Sequence, residues 1–399
     1  KHNHYYKRLE DAEGNNYYVS YPALAFIANY AVLKTFHLPI NQTSLQWILI
    51  FMFLIEAIML AWIASRLSQQ SNTRNRHLTI LVAIAIYLLN PVNLYAHSQY
   101  NICEIWGQFF LITTLTAWMY YLQSDRVLIA RLLLFLSAAL LAATDWMGLI
   151  LIPVMFMVYF KQLKKPHIRY GIIVLTISVI LASIAMFLQY ASINGINAFL
   201  RALGIRFLER SGYFGSEFTD QGYDVLNPET WHLVLQQIQN VLSGPGYIVI
   251  GMMLICLFYA RKKCTTFDFS YLKIALLPPF LFFIAFISVS CIHYIYTAKF
   301  TPFIALAGAA LFAKLLEIFK KPGFFIAIFI FLMHLAAFWS TNIFHNTIPT
   351  PDKKLTQLNA AAKLIHEEKR NKIELQPGWV ESDIIYLSYK SKRNLVWER

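Results

Sequence analysis

Charged residues are scarce in this chain of 399 residues, and several common enzyme motifs are missing. Asp, Glu, Lys and Arg make up 14% of the sequence, whereas soluble globular domains carry about 25%. There is no GxGxxG that opens a helix, no P-loop, no HExxH and no GxSxG. Each of these motifs builds a specific phosphate, zinc or nucleophile site. Their absence excludes nucleotide chemistry of the usual soluble kind and the zinc-protease and serine-hydrolase classes that these motifs define.

Cysteine is also rare, and its spacing is uninformative. The four cysteines are Cys103, Cys256, Cys264 and Cys291, with no CxxC pair and no zinc spacing that includes His. Such a pattern predicts no disulfide framework and no metal site. We therefore expect no resident cofactor, and the sequence does not indicate a divalent metal.

Apolar residues are abundant instead. They make up 58% of the chain, the mean hydropathy is +0.49, and apolar runs long enough to cross a bilayer recur. The predicted spans are 44–66, 77–94, 105–123, 127–144, 147–161, 170–190, 246–261, 273–291, 299–317 and 322–341. The sequence thus predicts an all-α polytopic membrane bundle of about ten transmembrane helices. Its formal net charge of +13 suits anionic lipid headgroups rather than nucleic acid.

The connectors between these spans sort by charge. Five of them hold 16 Lys or Arg, namely 66–77, 125–131, 161–169, 261–273 and 314–321. The short connectors around Pro39–Thr43, Val92–Glu104, Asp145–Trp146 and Cys291–Lys299 hold only one, Lys299. Basic loops stay on the cytoplasmic side, so the other connectors, and the acids they contain, are predicted to lie on the outer face.

This topology divides the chain into five segments. Residues 1–43 are predicted to be the remnant of an outer first loop followed by an interfacial helix over Ser20–His37. Two groups of membrane helices, 44–190 and 247–341, flank a long outer loop, 191–246, with a helix over Pro228–Leu242. Residues 342–399 read as a small extracytoplasmic α/β tail, with a helix over 354–369 and strands over 384–389 and 394–397. The polar start on the outer side predicts that a spanning helix precedes Lys1.

Candidate chemistry collects on the predicted outer face. Glu104 starts a helix beside His97, Gln99 and Tyr100, where it either complements the helix dipole or belongs to a functional site. Asp145 either caps the next helix or orients a sugar, with Trp146 stacking on the sugar ring or lying at the interface.

The remaining candidates lie in other outer segments. The Asp220, Tyr223 and Asp224 stretch is either a solvated turn or part of a binding surface, and His293 and Lys299 either bind a lipid phosphate or anchor the interface. Arg206 and Arg210 are candidates for stabilising a phosphate leaving group. Asp11 and Glu13 are eligible as a general base but fit a solvated acidic turn equally well.

Two runs together resemble the C-type glycosyltransferase superfamily, in particular the family of protein O-mannosyltransferases and aminoarabinose transferases. They are Tyr-Val-Ser-Tyr-Pro-Ala-Leu (18–24) before the interfacial helix, and Asn90-Pro91, Tyr95 and Glu104 two spans later. Pro22-Ala23-Leu24 stands where such families have "PPL", and Tyr21 stands where they often have Lys. The family's first-loop acid falls upstream of Lys1.

This resemblance implies a multi-pass protein of the bacterial inner membrane with its active site on the periplasmic face. It also implies transfer of a hexose or pentose from a polyprenyl phosphate to a protein, lipid or glycan acceptor. Glu104, and more weakly Asp11 or Glu13, would be catalytic, and the other candidates would bind substrate. A lipid-linked sugar flippase, a polysaccharide polymerase and a scaffold subunit with a degenerate site remain alternatives, since each works from outer loops or lipid-linked substrates.

Overall fold

The computed structural model describes most of the helical region and short parts of the two chain ends. The described residues are 8–10, 16–18, 22, 24–68, 73–98, 103–216, 219, 222–242, 245–259, 270–293, 295–319, 373–374 and 395–396. The chain folds as two units, Lys1–Ser340 and Thr341–Arg399. The predicted span 322–341, helix 354–369 and strand 384–389 lie outside the described residues.

The first unit is mainly helical. In chain order its elements are β1 (Arg8–Glu10), β2 (Asn16–Tyr18), α1 (Leu24–Thr35), α2 (Gln42–Leu67), α3 (Thr73–Leu88), α4 (Pro91–Ser98), α5 (Cys103–Gln123), α6 (Val127–Thr144), α7 (Met147–Tyr159), α8 (Pro166–Ser211), α9 (Pro228–Leu242), α10 (Pro245–Tyr259), α11 (Ser270–Ala285), α12 (Ile287–Ser290), α13 (Ile295–Ala298) and α14 (Thr301–Phe319). Strands β1 and β2 pair antiparallel. A 3₁₀ turn, Phe160–Gln162, follows α7.

The second unit contains two short strands among its described residues. β3 (Ile373–Glu374) and β4 (Leu395–Val396) pair in parallel. β4 falls inside the predicted strand 394–397, while the predicted tail helix lies outside the described part. The α/β character of the tail therefore stays a prediction.

Four helices in the described part are long and apolar enough to cross a membrane: Thr43–Leu67, Val127–Thr144, Pro166–Ser211 and Ile295–Leu316. The pair Thr73–Leu88 and Pro91–His97 qualifies as a fifth if its 62° bend is counted within one span. Met147–Gln162, Pro245–Leu254 and Ser270–Ala285 are shorter apolar helices. The chain is thus a mainly helical, multi-pass membrane protein, and the predicted number of about ten spans is not confirmed.

Small residues bring several helices close together. α2 packs against α3 and α5, α6 packs between α5 and α8, and α14 packs against α3 and α10. Ala64, Ala83 and Ala309 form a buried cluster where α2, α3 and α14 meet. Such small side chains let membrane helices approach closely, and van der Waals packing then stabilises their contact.

The chain bends between α3 and α4 because a new helix starts at Asn90-Pro91. The Asn90 carboxamide oxygen accepts hydrogen bonds from the backbone N–H groups of Val92 and Asn93 at 3.1 and 3.4 Å. Pro91 occupies the first helical position, where its missing N–H costs nothing. The Asn90 amide also donates to the Val241 carbonyl at 3.1 Å, which ties this bend to α9. The span predicted over 77–94 therefore crosses this bend, and its last residues belong to α4.

α8 continues far beyond its predicted end at residue 190. It is interrupted only at Asn194 and Gly195, where φ is −147° and 78°, and glycine adopts the second value without steric cost. Residues 196–211 are helical up to Ser211, so the first part of the predicted outer loop forms a helix, and its place outside the membrane stays a prediction. A pattern of mixed apolar and charged residues fits a helix that lies along an interface as well as it fits a loop.

The two interfacial helices follow their predictions more closely. α1 occupies the central part of the predicted segment Ser20–His37, and α9 has the predicted bounds Pro228–Leu242. The Trp106 indole N–H donates to the Asn29 carboxamide at 3.0 Å and thereby joins α5 to α1. α9 buries Val234 on one face and exposes Leu235 on the other.

Candidate functional site

The turn between α6 and α7 is built around a buried ion pair. Asp145 and Lys299 are both completely buried, and the ammonium nitrogen lies 2.5 Å from Asp145 Oδ2. The other carboxylate oxygen, Oδ1, accepts the backbone N–H of Met147 at 2.9 Å and caps α7. Burial raises the pKa of the Asp145 carboxyl, and the Lys299 ammonium acts in the opposite direction. Asp145 therefore accepts a hydrogen bond at the start of α7 and pairs with Lys299, and its role in orienting a sugar stays a prediction.

The first turns of α5 lie against this ion pair. A Cβ atom added to Gly107 would come within 2.3 Å of Asp145 Oδ2, so only glycine allows this approach. Glu104, one turn earlier, is half-buried and lies within electrostatic range of Asp145. Among the described residues, no side chain forms a salt bridge with Glu104. The structure therefore brings an available carboxylate next to a neutralised one.

Lys299 also contacts two aromatic rings. Its ammonium nitrogen lies 3.9 Å from the Phe282 ring centroid and 5.5 Å from the Tyr296 centroid, and the two rings stack at 5.6 Å. A cation over a desolvated aromatic face is stabilised by about 2 kcal/mol. Phe282 and Tyr296 also line a cavity.

This cavity has a volume of about 510 Å³ and lies between α7, α8, α11 and α13. That volume falls within the range of about 300–1,000 Å³ usual for small-molecule sites. Its walls are almost entirely apolar, and Arg206 and Arg210 are the charged residues among those that line it. The lining side chains are Trp146, Leu149, Ile150, Leu200, Leu203, Gly204, Arg206, Phe207, Arg210, Phe282, Ala285, Phe286 and Tyr296.

The second part of α8 brings both arginines to the cavity. They are four residues apart and therefore lie on one face of the helix. Arg206 is buried and forms an ion pair of 2.6 Å with Glu209. Leu200 and Phe207, on the same stretch, line the cavity and are also exposed at the bundle surface. The cavity is thus lined in part by exposed apolar side chains.

His293 connects Glu104 to this cavity electrostatically. Its partial burial lowers the pKa of the imidazole, the charge of Glu104 opposes this shift, and the charge of Arg210 adds to it. His293 follows α12, and its ring lies 6.0 Å from that of Tyr296. Glu104, His293 and Arg210 therefore gather near the cavity.

Three predicted site residues have other surroundings. His97 is buried and bonds to Glu56 on α2, so the predicted grouping of His97 beside Glu104 is not what its contacts show. Asp224 accepts the backbone N–H groups of Leu226 and Asn227 at 2.8 and 2.9 Å, which is the geometry of a capped turn. Tyr223 packs on the buried cluster formed by α9, α11 and α12.

Six predicted site residues lie outside the described part of the chain. They are Asp11, Glu13, Tyr21, Gln99, Tyr100 and Asp220. Their assignment stays a prediction. The described members of the predicted set that do meet at one place are Glu104, Asp145, Trp146, Arg206, Arg210, His293 and Lys299.

Sequence reasoning missed a second polar centre. Glu56 is completely buried in the middle of α2, where it meets Tyr87, and Gln108 lies beside them. An acid inside an otherwise apolar span was the available signal, because such a residue is costly there and marks function by default. Phe282 was not predicted either, because one Phe among many in an apolar helix carries no distinguishing pattern.

The described residues do not assemble a metal site. No group of three or more His, Cys, Asp or Glu side chains among them is close enough to hold a metal ion. Asp145 is already neutralised by Lys299.

Comparisons with known proteins give a fold but no family. No family model matches the chain. No curated protein matches it either. The structure is similar to a crystal structure of the Archaeoglobus fulgidus oligosaccharyltransferase complex with Zn and sulfate, with a TM-score of 0.54 and 14% sequence identity. The similarity covers 96% of this chain and 49% of that chain.

A second similar structure is that of the archaeal oligosaccharyltransferase AglB from Archaeoglobus fulgidus with an inhibitory peptide and a dolichol-phosphate. Its TM-score is 0.49 and its identity is 15%, and the similarity covers 93% of this chain and 52% of that chain. This chain therefore spans about half the length of both solved chains. The first comparison shows that this chain shares its fold with about half of the Archaeoglobus fulgidus oligosaccharyltransferase chain.

Proposed function

We propose that this chain carries the membrane part of a glycosyltransferase that moves a sugar from a polyprenyl phosphate to an acceptor. The observation that carries the proposal is the apolar cavity with Arg206 and Arg210 in its wall, adjacent to the Glu104, Asp145 and His293 cluster. The fold shared with an oligosaccharyltransferase supports it. Fold alone does not define chemistry, so the residues of the cavity and the adjacent cluster are the main support for this function.

The cavity fits an amphiphile with one anionic group. Its apolar walls match a hydrocarbon chain, and its opening beside Leu200 and Phe207 would let that chain enter from the bilayer. Arginine is well suited to phosphate, because its planar guanidinium donates two parallel hydrogen bonds to phosphate oxygens. A polyprenyl phosphate has this combination of a branched apolar chain and an anionic head.

The two arginines differ in what they offer to that phosphate. Arg206 is buried and its charge is balanced by Glu209, so it mainly shapes the cavity wall. Arg210, one turn later, is half-buried and lies on the side of His293. We assign the contact with the phosphate to Arg210, where the charge that develops on the leaving group needs stabilisation.

The proposed reaction is a single displacement. A hydroxyl or amine of the acceptor attacks the anomeric carbon, and the bond between that carbon and the phosphate oxygen breaks with its electron pair on oxygen. Glu104 takes the proton of the attacking group, as a general base within reach of it. Phosphate is a good leaving group, so the step requires cationic stabilisation more than acid catalysis. Because the acceptor attacks the face opposite the departing phosphate, the configuration at the anomeric carbon is inverted.

Trp146 and Tyr296 are suited to hold the sugar between Arg210, which contacts the phosphate, and the base Glu104. Both line the cavity, and Trp146 directly follows Asp145. Aromatic faces stack on the apolar face of a pyranose while leaving its hydroxyls free. Which sugar and which acceptor class are used stays open among hexose or pentose, and among protein, lipid and glycan. The bacterial inner membrane and its periplasmic face remain part of the proposal.

Transfer with labelled donors tests this function. Purified protein in lipid vesicles would be given a panel of labelled polyprenyl phosphate sugars and cell-envelope extract as the source of acceptor. We expect label to move to an acceptor. No transfer with any donor, under conditions in which a control glycosyltransferase is active, would refute the proposal, and movement of intact donor across the vesicle would favour the flippase.

Two glycine variants test whether the activity depends on this cavity. A Cβ atom on Gly204, in the cavity wall, meets no atom within 4 Å, and the same holds for Gly251 on α10. Gly204→Leu should therefore fill the cavity without a clash and raise the donor KM about ten-fold or more, whereas Gly251→Leu should leave it unchanged. Equal KM values in both variants would mean that the donor binds elsewhere.

A further inference from the structure

A second buried polar centre links helices close to the candidate site. Glu56 Oε2 accepts the Tyr87 hydroxyl at 2.5 Å and lies 2.8 Å from His97 Nε2. Gln108 donates to the Tyr87 oxygen at 2.8 Å and to Asn93 Oδ1 at 2.9 Å. We refer to Glu56, Tyr87, Asn93, His97 and Gln108 as the Glu56 network. All five side chains are buried, and the mechanism above uses none of them.

Hydrogen-bond accounting fixes the number of protons in this network. His97 Nδ1 lies 2.9 Å from the Asn93 carbonyl oxygen, which can only accept, so Nδ1 carries a hydrogen. The Tyr87 oxygen receives the Gln108 N–H, so the Tyr87 hydrogen points to Glu56. One hydrogen is then required between His97 Nε2 and Glu56 Oε2. The pair therefore holds one shared proton and is neutral as a whole.

The surroundings favour that proton on the carboxyl. Among the described residues, Glu56 Oε1 has no hydrogen-bond partner. An ionised carboxylate with an unpartnered oxygen is far more costly in an apolar interior than a neutral acid. Phe53 stacks on His97 at 4.6 Å between ring centroids and also contacts Tyr87. A neutral acid that donates to a neutral imidazole meets these constraints.

The network is attached to the candidate site through two helices. Gln108 lies on α5, four residues or one turn after Glu104, and it follows Gly107, which packs on Asp145. Gln108 also approaches the Thr301 hydroxyl at 3.4 Å, two residues after Lys299. α5 therefore carries Glu104 on its first turn and is held on its second turn by the Glu56 network.

We propose that Glu56 and His97 share one proton and, through Tyr87 and Gln108, position the first turns of α5 and hence Glu104. They are positioning residues, since none of them lines the cavity. The importance given to Glu104 rests on the proposed function, whereas the shared proton and the positioning of α5 do not. A conformational error of about 1 Å at a reacting group can cost about 100-fold in rate.

Infrared spectroscopy tests the proton without any substrate. Wild-type protein should show a protonated-carboxyl C=O band that is absent from Glu56→Gln and shifts in D₂O. Retention of the whole band in Glu56→Gln would overturn the assignment of the proton to Glu56. If Glu56→Gln does not fold, His97→Gln gives the same test, since loss of the imidazole must shift the band.

Two tyrosine variants separate positioning from general stability. Tyr87→Phe removes the hydroxyl that joins Glu56 to Gln108, and Tyr159→Phe removes another buried hydroxyl, which accepts the Trp118 indole N–H at 2.9 Å on α5. Both should lower the thermal midpoint by a similar amount. We expect only Tyr87→Phe to increase amide hydrogen exchange in residues 104–112.

If the wild-type protein transfers sugar, steady-state kinetics of the two variants give a further test of the positioning role. Tyr87→Phe should lower kcat about 10- to 100-fold, with the donor KM changed by no more than about two-fold, and Tyr159→Phe should leave both near wild type. Equal exchange and equal kcat in the two variants would refute the positioning role. If wild-type protein transfers no sugar, the proposed function fails, and the exchange and infrared measurements still decide this inference.

Discussion

Asp145 and Glu104 are neighbouring carboxylates with opposite surroundings. Asp145 is completely buried, pairs with Lys299 and caps α7. Glu104 is half-buried, and no described side chain forms a salt bridge with it. A buried charge without its partner would cost several kcal/mol, so Asp145 is bound into the structure. An acid that can exchange protons with a substrate must instead remain reachable, as Glu104 is.

The largest effect should follow from breaking the buried pair. Lys299→Met leaves Asp145 buried without its cation, and the free energy of unfolding should fall by about 3–5 kcal/mol. Chemical denaturation in detergent measures this change. The double variant Asp145→Asn/Lys299→Met removes both charges and keeps the cap on Met147, so it should regain most of the loss. A single variant as stable as wild type would contradict the structural role of the pair.

Glu104→Gln should show the reverse pattern, with a loss of activity and little loss of stability. Without a general base the rate of sugar transfer should fall about 10²–10⁴-fold, while the free energy of unfolding changes by less than about 0.5 kcal/mol. Initial rates and denaturation curves of the same preparations measure both. Glu229→Gln, an exposed acid in α9, serves as the control and should have neither effect. An active Glu104→Gln enzyme would remove Glu104 as the base.

The contact between the two carboxylates has a steric test at Gly107. Gly107→Ala brings a methyl group within 2.3 Å of Asp145 Oδ2, which forces Asp145 or α5 to move. Overpacking of this kind costs about 1–3 kcal/mol. Gly251→Ala meets no atom within 4 Å and should instead stabilise its helix by up to about 1 kcal/mol. The denaturation midpoint should fall in Gly107→Ala and rise in Gly251→Ala. A rise in both variants would mean that α5 lies further from Asp145.

The smallest effect concerns the charges around His293. Burial lowers the pKa of the His293 imidazole, the charge of Glu104 opposes this shift, and the charge of Arg210 adds to it. Glu104→Gln should therefore lower this pKa and Arg210→Gln should raise it. An NMR titration of labelled histidine, assigned with His293→Gln, measures both shifts. Shifts of the same sign in the two variants would show that one of these charges is remote from His293.

The sequence predicted which polar residues gather at the candidate site better than it predicted the contacts that each of them makes. The charge difference between connectors placed Glu104, Asp145 and His293 on one face, and the structure brings these three close together. The sequence predicts that Lys299 binds a lipid phosphate or anchors the interface, whereas the structure buries it against Asp145. That pairing joins residues 154 positions apart, and no local pattern encodes such a distant contact.

Some helix boundaries can likewise be predicted from the sequence, and others cannot. Apolar run length and the prolines at 166, 228 and 245 determine where helices begin, because Pro is favoured in the first turn and apolar runs must be buried or face lipid. The extension of α8 to Ser211 was not readable, since a helix at an interface needs neither a continuous apolar run nor a strict polar face.

The sequence by itself determined that this chain is a helical membrane protein and predicted Glu104, Asp145 and His293 on one face, because hydrophobicity and loop charge act locally along the chain. Only the tertiary structure decided which acid is neutralised and which remains available. It also built the cavity from four separate helices and placed Glu56 beside His97. Those outcomes depend on which side chains meet across helix interfaces, and that is fixed by packing rather than by any residue's neighbours in the chain.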